Sequence, residues 1–321
     1  MKRRDFVIGS AIALIAPRAQ AQARQVKVGI LLARHPSFYG PGIVERLGEL
    51  GYREGQGMTL LQHSADGVAE KFPALARELV DAKCDVIFAV GPEHPVRALQ
   101  NAAAPAVVFL AVDYDPVERG IVTNFRKPDR NTTGIFIPQP ALAVKRLQLL
   151  REIVPSARRV LVFSDTFCKD QLQAVRSAGE AAGLRMTVVD FSKPPYDFTA
   201  AFEKAREAQV EGMVGLTSPV FATRAKEIGA LLVKHRLPGV GWSVEMTLIG
   251  AGFLIGYGDS PGKVSRRAGE IGARILKGAK PADIPVEQAD EFELFINAKI
   301  AQALGVRIPE SVRARATRII Q

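Results

Sequence analysis

Apolar, β-branched runs alternate with amphipathic stretches along most of this chain. Val26–Ala33 (VKVGILLA), Asp85–Val90 (DVIFAV), Ala106–Val112 (AVVFLAV) and Arg159–Ser164 (RVLVFS) are continuous enough to read as strands buried on both faces. Met58–Ala65, Arg185–Phe191, Gly212–Thr217 and Pro238–Trp242 read as further strands. Between them, apolar residues recur at helical spacing over Pro41–Leu50, Ala69–Ala82, Pro95–Ala103, Ala141–Ile153, Asp170–Ala182, Phe198–Gln209 and Ala222–His235. This alternation predicts parallel sheets with right-handed crossovers. The polar run Asn124–Asn131 breaks the rhythm, Gly134–Pro138 reads as a first crossing strand, and the pattern then restarts. The expected fold class is α/β, with two Rossmann-like lobes whose parallel sheets are joined by a hinge. Lobe I is expected over residues 26–120 plus 258–280, and lobe II over 134–252 plus 284–321.

A chain of 321 residues is long enough to fill two such cores. Its first 23 residues stand apart from the globule. Lys2, Arg3 and Arg4 precede an apolar run, Phe6–Ala16, and small residues follow, so cleavage is expected near Ala21 or Ala23. That run is too short to span a bilayer, which takes roughly 20 residues. Arg3-Arg4-Asp5-Phe6-Val7 fits a twin-arginine signal, with the general secretory route as the alternative. The expected location is periplasmic. Removing this segment reduces the formal charge from +10 to about +7. The remaining basic residues are scattered, unlike the concentrated stripe of a nucleic-acid binder, so no nucleic-acid partner is expected. Cys84 and Cys168 fall one in each half; a bond between them would staple the lobes, so free buried thiols are expected.

In open parallel sheets, ligands lie beyond the carboxyl ends of the strands. That rule selects positions facing a cleft between the lobes. From the first half come Phe38 and Tyr39, Pro92 and Glu93, and Asp113 and Tyr114. From the second come Asp165 and Thr166, Ser218 and Phe221, and Trp242 and Glu245, with Tyr257 at the return. Each also has a structural role open to it. Asp113 precedes Pro116 and suits a turn, Asp165 and Thr166 suit a helix cap, and Trp242 suits packing beneath the cleft. Ser218 stands directly before a helix N-terminus, a fair place for an anion. Together these groups suit a small ligand with an apolar or ring portion, an amine or ring nitrogen, and a hydrogen-bonded carboxylate or amide.

Catalytic signatures are missing: there is no H-E-x-x-H, no G-x-S-x-G, no Walker loop and no G-x-G-x-x-G after the first strand. No enzymatic activity and no cofactor or metal are expected. The stretch from Gly256 to Pro309 carries a resemblance instead. It reads G-Y-G-D, then R-R-A, then I-L-K-G-A-K-P-A-D-I-P-V-E-Q, then F-E-L-x-I-N-x-K-x-A-x-A-L-G-x-x-I-P. This run resembles the periplasmic substrate-binding components of ABC transporters, in the branch that looks like binders of tryptophan, phenylalanine or other small aromatic compounds. The resemblance implies the type I periplasmic binding protein fold and closure like a Venus flytrap. It also implies a monomer whose partners are a small-molecule ligand and ABC permease membrane subunits. A ligand-sensing subunit of a signalling receptor on the same fold is the alternative. The chain departs from the family pattern at Asp113-Tyr114-Asp115-Pro116, where relatives more often read Ser/Gly-Asp-Pro. It departs again at Arg130-Asn131-Thr132-Thr133-Gly134, in place of Gly-Asn-Val-Thr-Gly.

Overall fold

Two seven-stranded sheets organise the computed structural model, which describes residues 25–33, 39–128, 130–243 and 252–321. The first sheet gathers β1 (Val26–Leu32), β2 (Arg53–Glu54), β3 (Gly57–Ser64), β4 (Val86–Gly91), β5 (Val107–Val112) and β6 (Thr132–Ile137). The first half also carries helices α1 (Gly40–Glu49), α2 (Phe72–Asp81) and α3 (Glu93–Asn101). The second half opens with α4 (Gln139–Ile153), then β7 (Arg159–Ser164), α5 (Lys169–Ala181), β8 (Arg185–Asp190), α6 (Phe198–Glu207) and β9 (Gly212–Val214). It continues through α7 (Pro219–Thr223), α8 (Ala225–Lys234), β10 (Gly239–Gly241) and β11 (Ile255–Asp259). Helix α9 (Pro261–Leu276) then leads to β12 (Glu287–Gln288), β13 (Phe292–Asn297), α10 (Ala298–Leu304), α11 (Glu310–Arg313) and β14 (Arg318–Ile320).

The first sheet runs β12-β6-β5-β4-β1-β3-β2 and is parallel throughout. The second runs β14-β13-β11-β10-β9-β7-β8, with β11–β13 its antiparallel pair. The central strands are buried on both faces, which is why they read as unbroken apolar runs rather than alternating ones. Five phenylalanines condense on one face of the second sheet. Phe163 meets Phe191, Phe198, Phe202 and Phe221 with ring centroids 5.1, 5.6, 5.7 and 6.1 Å apart. Such pairs add about 0.5–1.5 kcal/mol each beyond the area they bury.

The chain passes between the lobes three times, between β6 and α4, between β11 and α9, and between β12 and β13. These points correct the expected boundaries. Residue 134 lies inside β6, which pairs with β5 in the first sheet. Residue 258 lies inside β11, which belongs to the second sheet, and β12 returns to the first sheet beside β6 instead of opening the second lobe. These three short crossings are the hinge. The α9 helix returns to the first lobe through small residues: a Cβ at Gly272 would sit 2.4 Å from Phe88 Cζ, and one at Gly42 would sit 2.1 Å from Ser265 Oγ.

The helix expected over 222–235 is two helices, α7 and α8, separated at Arg224. The first turn of the one expected over 69–82 is a 3-10 turn before Pro73. Strand β14 at the C-terminal edge has no counterpart in the sequence pattern, because it is three residues long and largely exposed. Cys84 and Cys168 are buried, free thiols, and burial raises the pKa of both; for Cys84 it reaches about 11.

Candidate ligand-binding cleft

A cleft opens where the carboxyl ends of the two sheets meet. On the first-lobe side it is lined by Ala33, Tyr39, Val90, Pro92 and Val112, and on the second-lobe side by Phe167, Thr217, Ser218, Ala222, Trp242 and Ser243. Most of that surface is apolar, and the polar groups are few and local. Gly91 forms part of the wall at φ +123, where a Cβ would lie 2.9 Å from the Ala33 Cβ, so this close approach needs glycine.

Beneath the cleft lies a buried polar network. Arg146 is fully buried on the sheet-facing side of α4. Its guanidinium donates to the Tyr257 carbonyl at 2.8 Å, the Trp242 carbonyl at 3.2 Å, the Gly215 carbonyl at 3.4 Å and Gln139 Oε1 at 2.8 Å. Gln139 Nε2 donates to Asp259 Oδ1 at 3.1 Å, and Tyr39 Oη donates to Asp259 Oδ2 at 2.9 Å. Thr217 Oγ1 donates to Gln139 Oε1 at 2.8 Å. Burial lowers the Arg146 pKa to about 10, which leaves it charged at neutral pH. Burial raises Asp259, opposed by the Tyr39 hydrogen bond and the Arg146 charge. The network therefore joins Tyr39 of the first lobe, the crossing residues Gln139 and Asp259, and the strand ends of the second sheet.

A second polar group stands on the far wall. The Ser218 hydroxyl donates to Asp165 Oδ2, while Ser218 Oγ accepts from Val220 N at 3.0 Å. Asp165 Oδ1 accepts from Phe167 N at 2.8 Å and faces the Cys168 Sγ at 3.4 Å. Gln171 clasps Thr217 in both directions: Thr217 N donates to Gln171 Oε1 at 2.8 Å and Gln171 Nε2 donates to the Thr217 carbonyl at 2.9 Å. Across the cleft, Arg119 of the first half pairs with Asp170 at the start of α5. This contact links the two lobes directly.

The geometric rule brought Tyr39, Pro92, Ser218 and Trp242 onto the cleft wall, with Asp113 and Asp165 at its polar margins. It misplaced others. Tyr114 packs into the outer core of the first lobe, and Phe221 is a member of the phenylalanine cluster behind the cleft; both are large side chains the core could use. Thr166 is exposed. Glu93 accepts from Arg97 Nε at 3.1 Å one turn along α3, so its charge is matched locally. Tyr257 offers its carbonyl to Arg146 while its ring packs 6.5 Å from that of Phe292. Phe38 and Glu245 lie outside the described residues. Trp242 holds both roles open to it: its ring lines the cleft and packs edge-on to Phe253 at 5.5 Å, over Gly215, where a Cβ would come within 2.6 Å of it.

Sequence reading missed Arg146, Gln171 and Thr217. Two of these leave a signal. Arg146 falls on the apolar stripe of α4 with Leu142, Leu149, Leu150 and Ile153, and Gln171 shares a stripe with Val175 and Gly179. A polar side chain on a buried helical face must have partners, and such partners cluster at sites. Thr217 follows a strand end and leaves no signal.

Among the described residues, no helix is long and apolar enough to cross a membrane. Residues 26–320 match the family model for ABC transporter substrate binding protein. A curated relative, the tyrosine-binding protein of Clostridioides difficile, is 22% identical over 289 residues, covering 88% of this chain and 82% of that one. The fold is similar to that of an ABC domain from Streptococcus pneumonia solved in complex with L-Trp, with TM-score 0.79 and 23% identity over 92% of this chain and 100% of the other. A conserved domain protein from Vibrio cholerae superposes with TM-score 0.81 at 23% identity, over 92% of this chain and 100% of that one. The match spans both lobes and all three crossings, and on that ground the chain belongs to the ABC transporter substrate binding protein family.

Proposed function

We propose that this chain is the exported solute receptor of an ABC transporter, and that it captures a small molecule with an aromatic or apolar body, an amino acid or related aromatic compound, and delivers it to membrane permease subunits. The observation that carries this reading is the cleft itself: an apolar wall of Val90, Pro92, Val112, Phe167, Ala222 and Trp242 with polar groups at its margins. A polyol would leave that wall unmatched, whereas an aromatic ring buries it. The tyrosine-binding and L-Trp-bound relatives support the same ligand class. Met1–Ala23 serves as the export signal in this reading, which puts the receptor in the periplasm. Closure follows because a ligand held by both walls binds the closed arrangement more tightly than the open one.

The test is mass spectrometry of small molecules released on denaturing the purified mature protein, followed by thermal-shift screening of L-tyrosine, L-tryptophan, L-phenylalanine, aromatic acids and myo-inositol. At 100 times Kd a ligand adds about 2.7 kcal/mol to native stability, a readily measured shift. Stabilisation by an aromatic compound and none by myo-inositol is the expected result. The reverse, or no shift from any aromatic compound, overturns the ligand class.

Closure itself yields a second expectation. The Arg119–Asp170 pair is 41% and 38% exposed on its two partners, and exposed pairs contribute about 0.2–1 kcal/mol. Asp170→Asn is therefore expected to weaken binding of the stabilising aromatic compound by no more than about 5-fold in isothermal titration. A loss beyond about 10-fold would make the ion pair, rather than the ligand, the principal force holding the lobes together.

A further inference from the structure

Asp113 follows β5 in the first lobe at φ +74, one residue past Val112. It is 8% exposed, and its Oδ1 is buried with no hydrogen-bond partner among the described residues. The rest of the carboxyl meets the other lobe: Gln171 of α5 hydrogen-bonds to it through main-chain and side-chain groups. The charges that face it from that lobe are like charges, Asp170 and Asp165, with the buried Cys168 thiol beside them. The cations are engaged elsewhere. Arg119 pairs with Asp170, and Arg146 directs its donors to three carbonyls and Gln139. Asp115, two residues on, accepts from Val117 N at 2.7 Å and Glu118 N at 3.1 Å within its own turn. An ionised Asp113 therefore has one oxygen out of water and like charges opposite, and both disfavour the charged form. Burial first, then Asp170, holds its pKa well above the ordinary carboxylate range, against the Gln171 hydrogen bonds.

We propose that the meeting of the two lobes is coupled to uptake of a proton by Asp113, so that the receptor holds its ligand more tightly in acid than at neutral pH. This rests on the receptor reading above, in which the lobes close on a ligand. The proton comes from solvent. As the lobes meet, Gln171, Asp165 and Asp170 approach Asp113, water leaves Oδ1 and the carboxylate becomes the acid. As they part, water returns and the acid gives its proton back to solvent. The sign follows from linkage. The carboxyl pKa is higher with the lobes together than apart, so the advantage of the joined form is greatest in acid. It falls as pH rises from the ordinary carboxylate value to the raised one, and is level beyond. Asp165 is also buried, but its partners Ser218, Phe167 N and Cys168 all belong to its own lobe and move with it. Asp259 does reach the first lobe through Tyr39, yet both its oxygens have hydrogen-bond donors. Asp113 is the carboxyl whose bare oxygen and whose facing charges lie on opposite sides of the lobe boundary.

The test is isothermal titration of the mature chain with L-tyrosine, L-tryptophan and L-phenylalanine at about pH 5 and about pH 7.5. Whichever of them binds the wild type is expected to bind at least about 5-fold more tightly at the lower pH. Asp113→Asn is neutral at both, and asparagine tolerates a positive φ. It is expected to bind about 5-fold or more tightly than wild type at the higher pH, and within about 3-fold of it at the lower. Titrations at about pH 6 in phosphate and in a buffer of larger ionisation enthalpy read the proton directly: wild type takes one up on binding and Asp113→Asn does not. Equal wild-type affinity at both pH values overturns the coupling and leaves the receptor standing. So does a pH dependence that survives unchanged in Asp113→Asn, which would belong to another carboxyl. Weaker binding by Asp113→Asn than by wild type at the higher pH also overturns it, since Asp113 would then hold the lobes together as a carboxylate against the start of α5. Failure of all three compounds to bind wild type at either pH overturns the receptor's ligand class, and the coupling falls with it.

Discussion

Replacing Arg146 by methionine is expected to destabilise the protein by about 3–5 kcal/mol, the range found when one partner of a buried ionic network is removed. Methionine approximates the volume, so the loss is electrostatic rather than steric. Four acceptors lose a hydrogen bond at once: the carbonyls of Tyr257, Gly215 and Trp242 and the side chain of Gln139, which keeps only the Thr217 hydroxyl. Asp259 loses its facing charge but keeps the Tyr39 and Gln139 hydrogen bonds. Equilibrium urea denaturation gives the magnitude. The pH dependence gives the mechanism. Asp259 has a folded pKa raised above its unfolded value, so the native state binds the proton more tightly and stability falls as pH rises from the unfolded pKa to the folded one. Removing Arg146 takes away an interaction that lowers that pKa, which widens the window. The deficit relative to wild type is therefore expected to be larger at about pH 8 than at about pH 5. A pH-independent deficit would mean that Arg146 contributes through its hydrogen bonds to carbonyls alone. Because these carbonyls lie on β11, Gly215 and the residue after β10, the variant is also expected to weaken ligand binding through a displaced Trp242.

The same residue shows where sequence reading stops. The period-two and period-3.6 patterns report burial, and burial located nearly every central strand within a residue or two; Arg159–Ser164 coincided with β7. They do not report to which sheet a strand belongs. β6 reads as a strand crossing between the lobes, yet it and β12 both pair in the first sheet through main-chain hydrogen bonds that carry no side-chain signature. The cleft was legible to the extent that strand ends define it, which is why Pro92, Asp113, Asp165, Ser218 and Trp242 fall in or beside it. The same strand-end rule selects Tyr114 and Phe221, but both side chains pack in the cores. Side chains alternate faces only while the strand lasts, and β5 ends at Val112 with Asp113 at φ +74, so the alternation does not carry past it. Val112 lines the cleft and Tyr114, two residues on, packs in the core of the first lobe.

Gly134→Ala is expected to cost more than any surface or loop glycine change in this chain, about 4 kcal/mol or more, or to abolish soluble expression. Gly134 pairs with Phe109 in the interior of the first sheet. An added Cβ would lie 2.1 Å from the Phe109 carbonyl oxygen, 2.6 Å from its nitrogen and 2.8 Å from its ring. Two of those three atoms are backbone in a central strand, so no rotamer change relieves the clash; β5 and β6 must separate. The flanking residues tie that strand into the hinge. Thr133 Oγ1 donates to the Ile284 carbonyl at 2.7 Å, which fixes the segment before β12, and Gln100 Nε2 donates to Thr132 Oγ1 at 3.2 Å. This accounts for the Thr132-Thr133-Gly134 run as a structural device: two hydroxyls to hold neighbouring segments and one position stripped of its side chain for close approach. A control separates close approach from backbone conformation. Gly183 has φ +70, and a Cβ added there would meet nothing within 4 Å, so Gly183→Ala carries only the strain of the left-handed conformation, about 1 kcal/mol. Urea denaturation of the two variants side by side is the measurement. A small loss for Gly134→Ala, similar to that of Gly183→Ala, would show that β6 shifts freely against β5, and would weaken the view that the first crossing is anchored rigidly to the sheet it leaves.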